Sequence, residues 1–177
     1  MLKKHKIIVN QINESKAILT FFKDSIKNIE AEAFIGENGF TIDKVEGDGK
    51  TPIGKFELGI CFGTHEEKSI MKENYIKINE NLYWVDDVQS KYYNQMVDIR
   101  KVKKDWASAE HLIEYPKQYE YAIEIKTNPK NIPGKGSAIF LHCSVGRATQ
   151  GCIAIKKEKM EELFNLVGKE AIIIIKK

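Results

Sequence analysis

The residues from 139 to 155 read IFLHCSVGRATQGCIAI, and they carry the strongest structural signal in the chain. The run from 138 to 141 is wholly apolar and leads into His142, which is typical of a buried central strand. A loop follows, and Gly151 with Cys152 opens a second apolar run. We therefore predict two strands whose connection brings an imidazole and a thiol together.

A thiol beside an imidazole is the arrangement that nucleophilic catalysis by cysteine requires. The thiolate is the reactive form, and a nearby histidine is the usual base that generates it. Gly151 precedes Cys152, and glycine permits both a positive φ and a close approach of the backbone. Backbone N–H groups around Gln150 and Gly151 could then form an oxyanion hole for a bound acyl group. The pattern predicts acyl transfer with Cys152 as nucleophile and His142 as base.

The three cysteines also allow explanations other than nucleophilic catalysis. An odd number of cysteines excludes a fully paired disulfide scaffold, so at least one thiol is free. A buried cysteine is often only a small apolar side chain, which is what we expect of Cys61. His142, Cys143 and Cys152 could instead bind zinc, but a zinc site prefers three or four ligands. The remaining histidines lack ligand spacing to one another: His5, His65 and His111.

Length and composition favour one globular domain covering residues 1–177, with a core from about 30 to 175 and N-terminal strands before it. Apolar residues make up 42% of the chain and charged residues 30%, and the formal net charge is only +3. Basic residues are scattered among acidic ones, which argues against a nucleic-acid partner. No apolar run approaches the roughly 18 residues that a membrane span needs.

Hydrophobic periodicity predicts a mainly β (α+β) fold with one or two short helices. Residues 156 to 167 have helical spacing, with Gly168 as the expected C-cap. The segments 66 to 81 and 89 to 115 are rich in polar and aromatic residues, and we expect long loops or a lid there. Short alternating or apolar runs predict strands at 6–9, 17–22, 31–35, 56–58, 83–85, 121–125, 138–141 and 171–175.

Three segments together resemble the L,D-transpeptidase catalytic domain, the YkuD-like family. Residues 149 to 153 (TQGCI) follow His142 and resemble the family signature of Ser/Thr, any residue, Gly and Cys before an apolar residue. Residues 47 to 56 (GDGKTPIGKF) resemble its T-P-x-G-x-F stretch, and residues 86 to 94 (DDVQSKYYN) resemble a loop of one branch. The resemblance implies a YkuD-like mixed β-sandwich or barrel with a long loop or lid insertion.

The resemblance also implies a substrate and a mechanism. Cys152 would attack a peptidoglycan stem peptide at an L-centre followed by a D-residue, form a thioester and release the terminal D-amino acid. An amine from a neighbouring stem would then accept the acyl group, and no cofactor is needed. His142 would act as base, its ring oriented by the backbone carbonyl of Cys143. Two alternatives remain open: an L,D-carboxypeptidase that uses water instead of an amine, and a non-catalytic cell-wall-binding module.

Further residues are candidates for binding the substrate. Arg147 could bind a stem carboxylate or be a solvated loop charge, and Thr149 lies in the signature itself. His111 and Tyr93 could form a wall or lid of the cleft, although aromatic side chains in such segments more often pack. Many family members carry Arg or Asn where this chain has Ala154. The resemblance implies an extracytoplasmic location at the cell wall, although no signal peptide is visible in the chain, and we expect a monomer.

Overall fold

A computed structural model describes residues 5–67, 72–168 and 170–177. The described residues form fourteen strands, one α-helix, α1 (Lys157–Leu166), and two short 3-10 turns (Leu112–Glu114 and Gln118–Glu120). In chain order the strands are β1 (His5–Gln11), β2 (Lys16–Lys23), β3 (Ile26–Phe34), β4 (Phe40–Thr41), β5 (Thr51–Pro52), β6 (Gly54–Gly63), β7 (Tyr75–Lys77), β8 (Leu82–Val85), β9 (Met96–Asp98), β10 (Ala109–His111), β11 (Tyr121–Ile125), β12 (Phe140–Cys143), β13 (Ile153–Ile155) and β14 (Ile172–Lys176).

Nine of these strands form one mixed sheet that closes on itself. Its order is β11-β12-β13-β3-β2-β1-β14-β6-β7, and β11 also pairs with β6. Strand β7 pairs with β6 outside the closed ring, while β12 and β13 are parallel neighbours within it. The predicted mainly β mixed fold is therefore confirmed, with a barrel-like closure of the sheet.

The barrel interior is filled by apolar side chains that alternate along the strands. Ile7 and Val9 in β1, and Leu19 and Phe21 in β2, are fully buried. Each large apolar side chain removed from water in this way contributes roughly 1.5–3 kcal/mol. The two strands pair in antiparallel register, so their inward-facing residues meet on one face.

Helix α1 covers the core with one apolar face. Met160, Leu163 and Phe164 lie three and four residues apart and are fully buried, which is the spacing that predicted the helix. The helix ends at Leu166, because Val167 turns to an extended conformation while its N–H still bonds Leu163. The cap is thus Val167 rather than the expected Gly168.

The two segments expected to be long loops contain short strands. Strands β9 and β10 pair with β8 in a separate three-stranded sheet, and β7 lies in the other segment. Strands of three residues are too short to show a clear alternation in the sequence, so their pattern was not detectable. Residues 68–71 of the segment 66–81 lie outside the described residues.

Strand β12 begins two residues later than its apolar pattern predicted. Ala138 has a φ of 52°, which is left-handed backbone and cannot continue a strand. The segment before β12 therefore bends sharply at a buried, apolar position. Nothing in the local sequence distinguishes Ala138 from a residue within a strand.

Within the described ranges, no helix has both the length and the apolarity that crossing a bilayer requires.

Candidate active site

The closed sheet brings His142 and Cys152 to the same face. His142 lies in β12 and is paired in parallel register with Ala154 of β13. Cys152 precedes Ala154 by two positions, and side chains two residues apart along extended chain point to the same side. Both residues line one cavity of about 400 Å³. The parallel pairing of β12 with β13 is therefore what places the imidazole and the thiol at a common opening.

His142 is held as a neutral imidazole with one nitrogen free. Its Nδ1 lies 2.9 Å from the backbone carbonyl of Cys143, which can only accept, so Nδ1 carries the proton and Nε2 is unprotonated. Burial lowers the pKa of His142 to about 4. The side chain of Cys143 faces away, because its buried Sγ lies 3.8 Å from the carbonyl of Tyr121. The backbone of Cys143 thus contacts the ring, as the resemblance implied.

Cys152 rests as a neutral thiol held by Ala138 and by Phe140, the first residue of β12. Its Sγ donates to the carbonyl of Ala138 at 3.2 Å and accepts from the N–H of Phe140 at 3.3 Å. Burial, followed by the negative charge of Glu110, raises the pKa of the Cys152 thiol to about 12. In the described part of the chain the thiol makes these two hydrogen bonds and none to His142. The sulfur must therefore leave Ala138 before the imidazole can take its proton.

The residue before Cys152 must be glycine. Gly151 has a φ of +139°, and a Cβ built there would lie 2.9 Å from the carbonyl oxygen of Lys50. Its N–H donates to Thr149 Oγ1 at 3.1 Å, and its carbonyl accepts from Thr51 Oγ1 at 2.8 Å. The N–H of Gly151, expected to face an oxyanion, is thus already engaged. Thr149 fixes the loop further by donating to the carbonyl of Cys152 at 2.6 Å.

Three of the other expected site residues line the cavity. Arg147, Thr149 and Gln150 all lie along its wall. Arg147 is exposed at the loop surface, while Gln150 donates from Nε2 to Glu37 at 2.9 Å. The two remaining candidates, His111 and Tyr93, are not among the lining residues.

His111 and Tyr93 have other partners. His111 stacks on Tyr83 with ring centroids 4.2 Å apart, and its Nε2 lies 2.9 Å from the carbonyl of Glu80. Tyr93 is buried, and its hydroxyl donates to the carboxylate of Glu46. The structure therefore does not bring these two side chains to the thiol.

Two residues that the sequence did not single out do reach the cavity. Glu110 and Tyr119 both line it, and the Tyr119 hydroxyl donates to the Glu110 carboxylate. The Tyr119 ring also packs edge-on against the His142 ring, with centroids 5.6 Å apart. Burial raises the pKa of Glu110 to about 7. Glu110 precedes His111 in β10, and neighbouring side chains in a strand point to opposite sides of the sheet. His111 was the more conspicuous residue in the sequence, but its side chain lies on the side away from the cavity.

A metal centre finds no support in the side-chain arrangement. Among the described residues, no group of three or more His, Cys, Asp or Glu side chains is placed to hold a metal ion. All three cysteines have free thiols, of which Cys61 and Cys143 are buried and Cys152 is partly exposed. The described side chains that line the cavity include the Cys152 thiol, the neutral His142 imidazole and the carboxyl groups of Glu37 and Glu110.

Comparison with solved structures shows the same fold. The helical cell shape determining protein Pgp2 from Campylobacter jejuni aligns with a TM-score of 0.54 at 16% identity, over 98% of this chain and 47% of that chain. An L,D-transpeptidase from Mycobacterium tuberculosis H37Rv aligns with a TM-score of 0.50 at 11% identity, over 98% and 58%. L,D-transpeptidase 3 from the same organism, in complex with a faropenem-derived adduct, gives 0.50 at 12% identity, over 98% and 60%. The chain thus spans about half to three fifths of these structures.

Sequence comparison is consistent with the fold. No curated protein matches the chain. The family model of the L,D-transpeptidase catalytic domain, YkuD, matches residues 4–175, which include both cavity-lining segments of the sheet and the loop between them. The chain belongs to the L,D-transpeptidase catalytic domain (YkuD) family.

Proposed function

We propose that this chain is an L,D-transpeptidase that acts on peptidoglycan stem peptides through a thioester on Cys152. One observation carries the proposal: a thiol and a neutral imidazole with an unprotonated nitrogen line the same open cavity, on parallel neighbouring strands of a YkuD fold. The substrate class rests on the family, whose model covers nearly the whole chain. A wall substrate implies that the protein acts outside the cytoplasm.

Acylation begins with a change at the thiol. The Cys152 side chain rotates away from the Ala138 carbonyl, and His142 Nε2 takes its proton as the sulfur attacks the carbonyl carbon of the L-centre. The protonated imidazole then gives that proton to the departing amine of the terminal D-amino acid. Because the resting thiol and imidazole are both neutral, a proton must pass from Cys152 to His142 in the course of acylation.

Arg147 is the residue that we propose to bind the donor stem peptide. It is exposed and lines the cavity from within the loop that joins His142 to Cys152. Guanidinium groups bind carboxylates through two parallel hydrogen bonds, and a stem peptide ends in a carboxylate. Arg147 would hold that terminal carboxylate while the sulfur reaches the preceding carbonyl.

Hydrolysis of the same thioester is the competing outcome, giving an L,D-carboxypeptidase. The observation that favours it is that Cys152 is partly exposed, so that water can reach the acylated sulfur. The two activities differ only in whether an amine or water accepts the acyl group. Incubation of the protein with tetrapeptide and pentapeptide stems, followed by mass spectrometry, separates cross-linked products from trimmed ones.

A second experiment tests whether Cys152 forms the thioester. A solved relative, L,D-transpeptidase 3 from Mycobacterium tuberculosis, holds a faropenem-derived adduct. We expect faropenem to add its mass to this chain at Cys152 and to leave a Cys152→Ala variant unmodified. A non-catalytic wall-binding module would show neither the adduct nor any converted stem peptide, and that result would refute the proposed function.

A further inference from the structure

Glu110 is a carboxyl group in the cavity that the attack of Cys152 on the donor does not use. Its side chain lines the cavity with Cys152 and His142, and the Tyr119 hydroxyl donates to it. Tyr119 in turn packs edge-on against the His142 ring. Strand β10 fixes this placement, because Glu110 is paired with the fully buried Trp84 of β8. The carboxyl is therefore held rigidly at the reaction site.

The charge of Glu110 works against the nucleophile. It raises the pKa of the Cys152 thiol and so opposes formation of the thiolate. Lys44, whose charge favours the thiolate, is already paired with Asp48. Because the Glu110 carboxyl lines the same cavity as Cys152 and His142, it lies within reach of the second substrate that enters after acylation.

The step that follows acylation requires the acceptor to lose an additional proton when that acceptor is an amine. A primary amine is protonated at neutral pH and has no lone pair for attack, so it must lose one proton before it attacks the thioester and another as the amide forms. His142 can take the second proton and return it to the departing Cys152 sulfur. Water needs to lose only one proton, which His142 alone can accept.

We infer that Glu110 is the base that takes the first proton from the ammonium group of the acceptor, so that the second substrate is a primary amine bound at Glu110. The inference rests on the proposed thioester at Cys152. The ionised carboxylate attracts the ammonium group, receives one proton to become the neutral acid and leaves a free amine beside the thioester. After amide formation, Glu110 loses the proton to solvent.

The surroundings of Glu110 suit a group that changes its charge near neutral pH. Burial raises the pKa of Glu110 to about 7, and the Tyr119 hydroxyl bond lowers it from what burial alone would give. A base works best when its pKa lies near the working pH. The ionisable groups that face Glu110 or share its cavity are Tyr119, Tyr115, Asp86, Glu46, Glu37, Arg147, His142 and Cys152.

The test measures how the acyl group divides between amine and water. A stem tetrapeptide ending in D-alanine is incubated with the protein and isotopically labelled D-alanine, and mass spectrometry scores exchanged tetrapeptide against hydrolysed tripeptide from pH 5.5 to 9. D-alanine is also the leaving group, so exchange is the reverse of acylation, and by the same path protonated Glu110 would return a proton to the departed amine. In the unaltered protein we expect the ratio of exchange to hydrolysis to rise with pH through about 7, as Glu110 ionises.

The decisive variant is Glu110→Gln. We expect it to lower the ratio of exchange to hydrolysis at least about a hundredfold, the lower end of the range for a lost proton-transfer group. Acylation by faropenem should be as fast or faster, because the charge that opposes the thiolate is gone. Glu114→Gln is the matched control, since Glu114 is exposed, lies on the next turn and does not line the cavity.

Tyr119→Phe provides a second measurement that keeps Glu110 in place. Loss of the hydroxyl donor should move the pH midpoint of exchange upward. An unchanged ratio in Glu110→Gln, an unmoved midpoint in Tyr119→Phe, or no exchange at all in a protein that faropenem acylates would overturn the role of Glu110 and leave the thioester standing. Failure of faropenem to acylate the unaltered chain would instead overturn the proposed function, and this inference with it.

Discussion

Cys152 and Cys143 differ in what their sulfur atoms can reach. Cys152 is partly exposed in the cavity, whereas Cys143 is buried and its Sγ faces the carbonyl of Tyr121. The contribution of Cys143 to the site is its backbone carbonyl, which holds the His142 ring. A side-chain substitution at Cys143 therefore leaves that contact in place.

We predict opposite outcomes for the two cysteines. Cys152→Ala should abolish conversion of stem peptides while preserving the fold, because it removes only the nucleophile. Cys143→Ser should retain most activity, since a hydroxyl of similar size can still donate to the Tyr121 carbonyl. Turnover measured by mass spectrometry, with circular dichroism as the folding control, checks both. If Cys143→Ser were inactive and Cys152→Ala active, the assigned nucleophile would be wrong.

At this scale the sequence predicts the residues that form local motifs. His142 and Cys152 lie in one short segment, and the structure places both at one cavity. Glu110 could not be found in this way, because its role depends on which side of β10 faces the cavity. A strand of three residues is too short for its alternation to indicate which side faces the cavity. The sequence therefore suggested the neighbouring His111 as the candidate.

The segment before β12 is an element whose shape sets the resting state of the thiol. Ala138 takes a left-handed φ of 52°, its carbonyl accepts from the Cys152 thiol, and its N–H donates to Asn94 Oδ1 at 3.1 Å. Asn94 Oδ1 also accepts from Trp84 Nε1 at 3.1 Å. Its amide nitrogen donates to the carbonyl of Asn128 at 3.2 Å. One amide side chain thus holds the bend that presents a carbonyl to the sulfur.

We predict that Asn94→Ala destabilises the protein by about 1–3 kcal/mol, because partners in this partly buried network lose their hydrogen bonds. The variant should also let Cys152 react faster with iodoacetamide, since the carbonyl that stabilises the neutral thiol is no longer held. Ala138→Gly is the matched change in the same bend, and it should be nearly neutral because glycine adopts this φ freely. Urea unfolding and mass-resolved alkylation measure both effects. Equal alkylation rates in Asn94→Ala and the unaltered protein would contradict the role of the bend.

Element prediction succeeded for the first two strands and the helix. They were predicted at residues 6–9, 17–22 and 156–167, and the structure confirms them as β1, β2 and α1 with small shifts at their ends. The bend at Ala138 was not predictable, because its left-handed backbone is imposed by Asn94, which lies far away in the sequence. Local apolarity at this position indicates burial but not the direction of the chain.

For the whole molecule, closure of the sheet is what assembles the site. Strand β11 pairs with both β12 and β6, and β13 pairs with both β12 and β3. Residues from distant parts of the chain thereby meet around one cavity. Strand positions can be predicted one at a time, but closure depends on long-range pairing that no local pattern contains. The family resemblance supplied what periodicity could not.

Burying a neutral histidine within this closed sheet makes the stability of the protein depend on pH. Burial lowers the pKa of His142 to about 4 from an ordinary value of 6.5, so the unfolded chain binds a proton at pH values where the folded protein does not. The stabilisation is fully present above pH 6.5 and is lost as the pH falls toward 4, by at most about 3 kcal/mol. Glu110 acts in the opposite direction. Its pKa is raised to about 7 from 4.5, so its contribution is fully present below pH 4.5 and is lost as the pH rises through 7.

Because the two groups oppose each other, the unaltered protein should show a flatter pH profile than either group alone would give. We predict that His142→Gln, which cannot titrate, loses less stability than the unaltered protein between pH 7 and pH 4.5. Glu110→Gln should show the reverse, gaining stability relative to the unaltered protein at pH 8 but not at pH 4.5. Urea unfolding across this pH range measures both differences. Profiles that run parallel in all three proteins would mean that neither side chain is held in the charge state that its burial imposes.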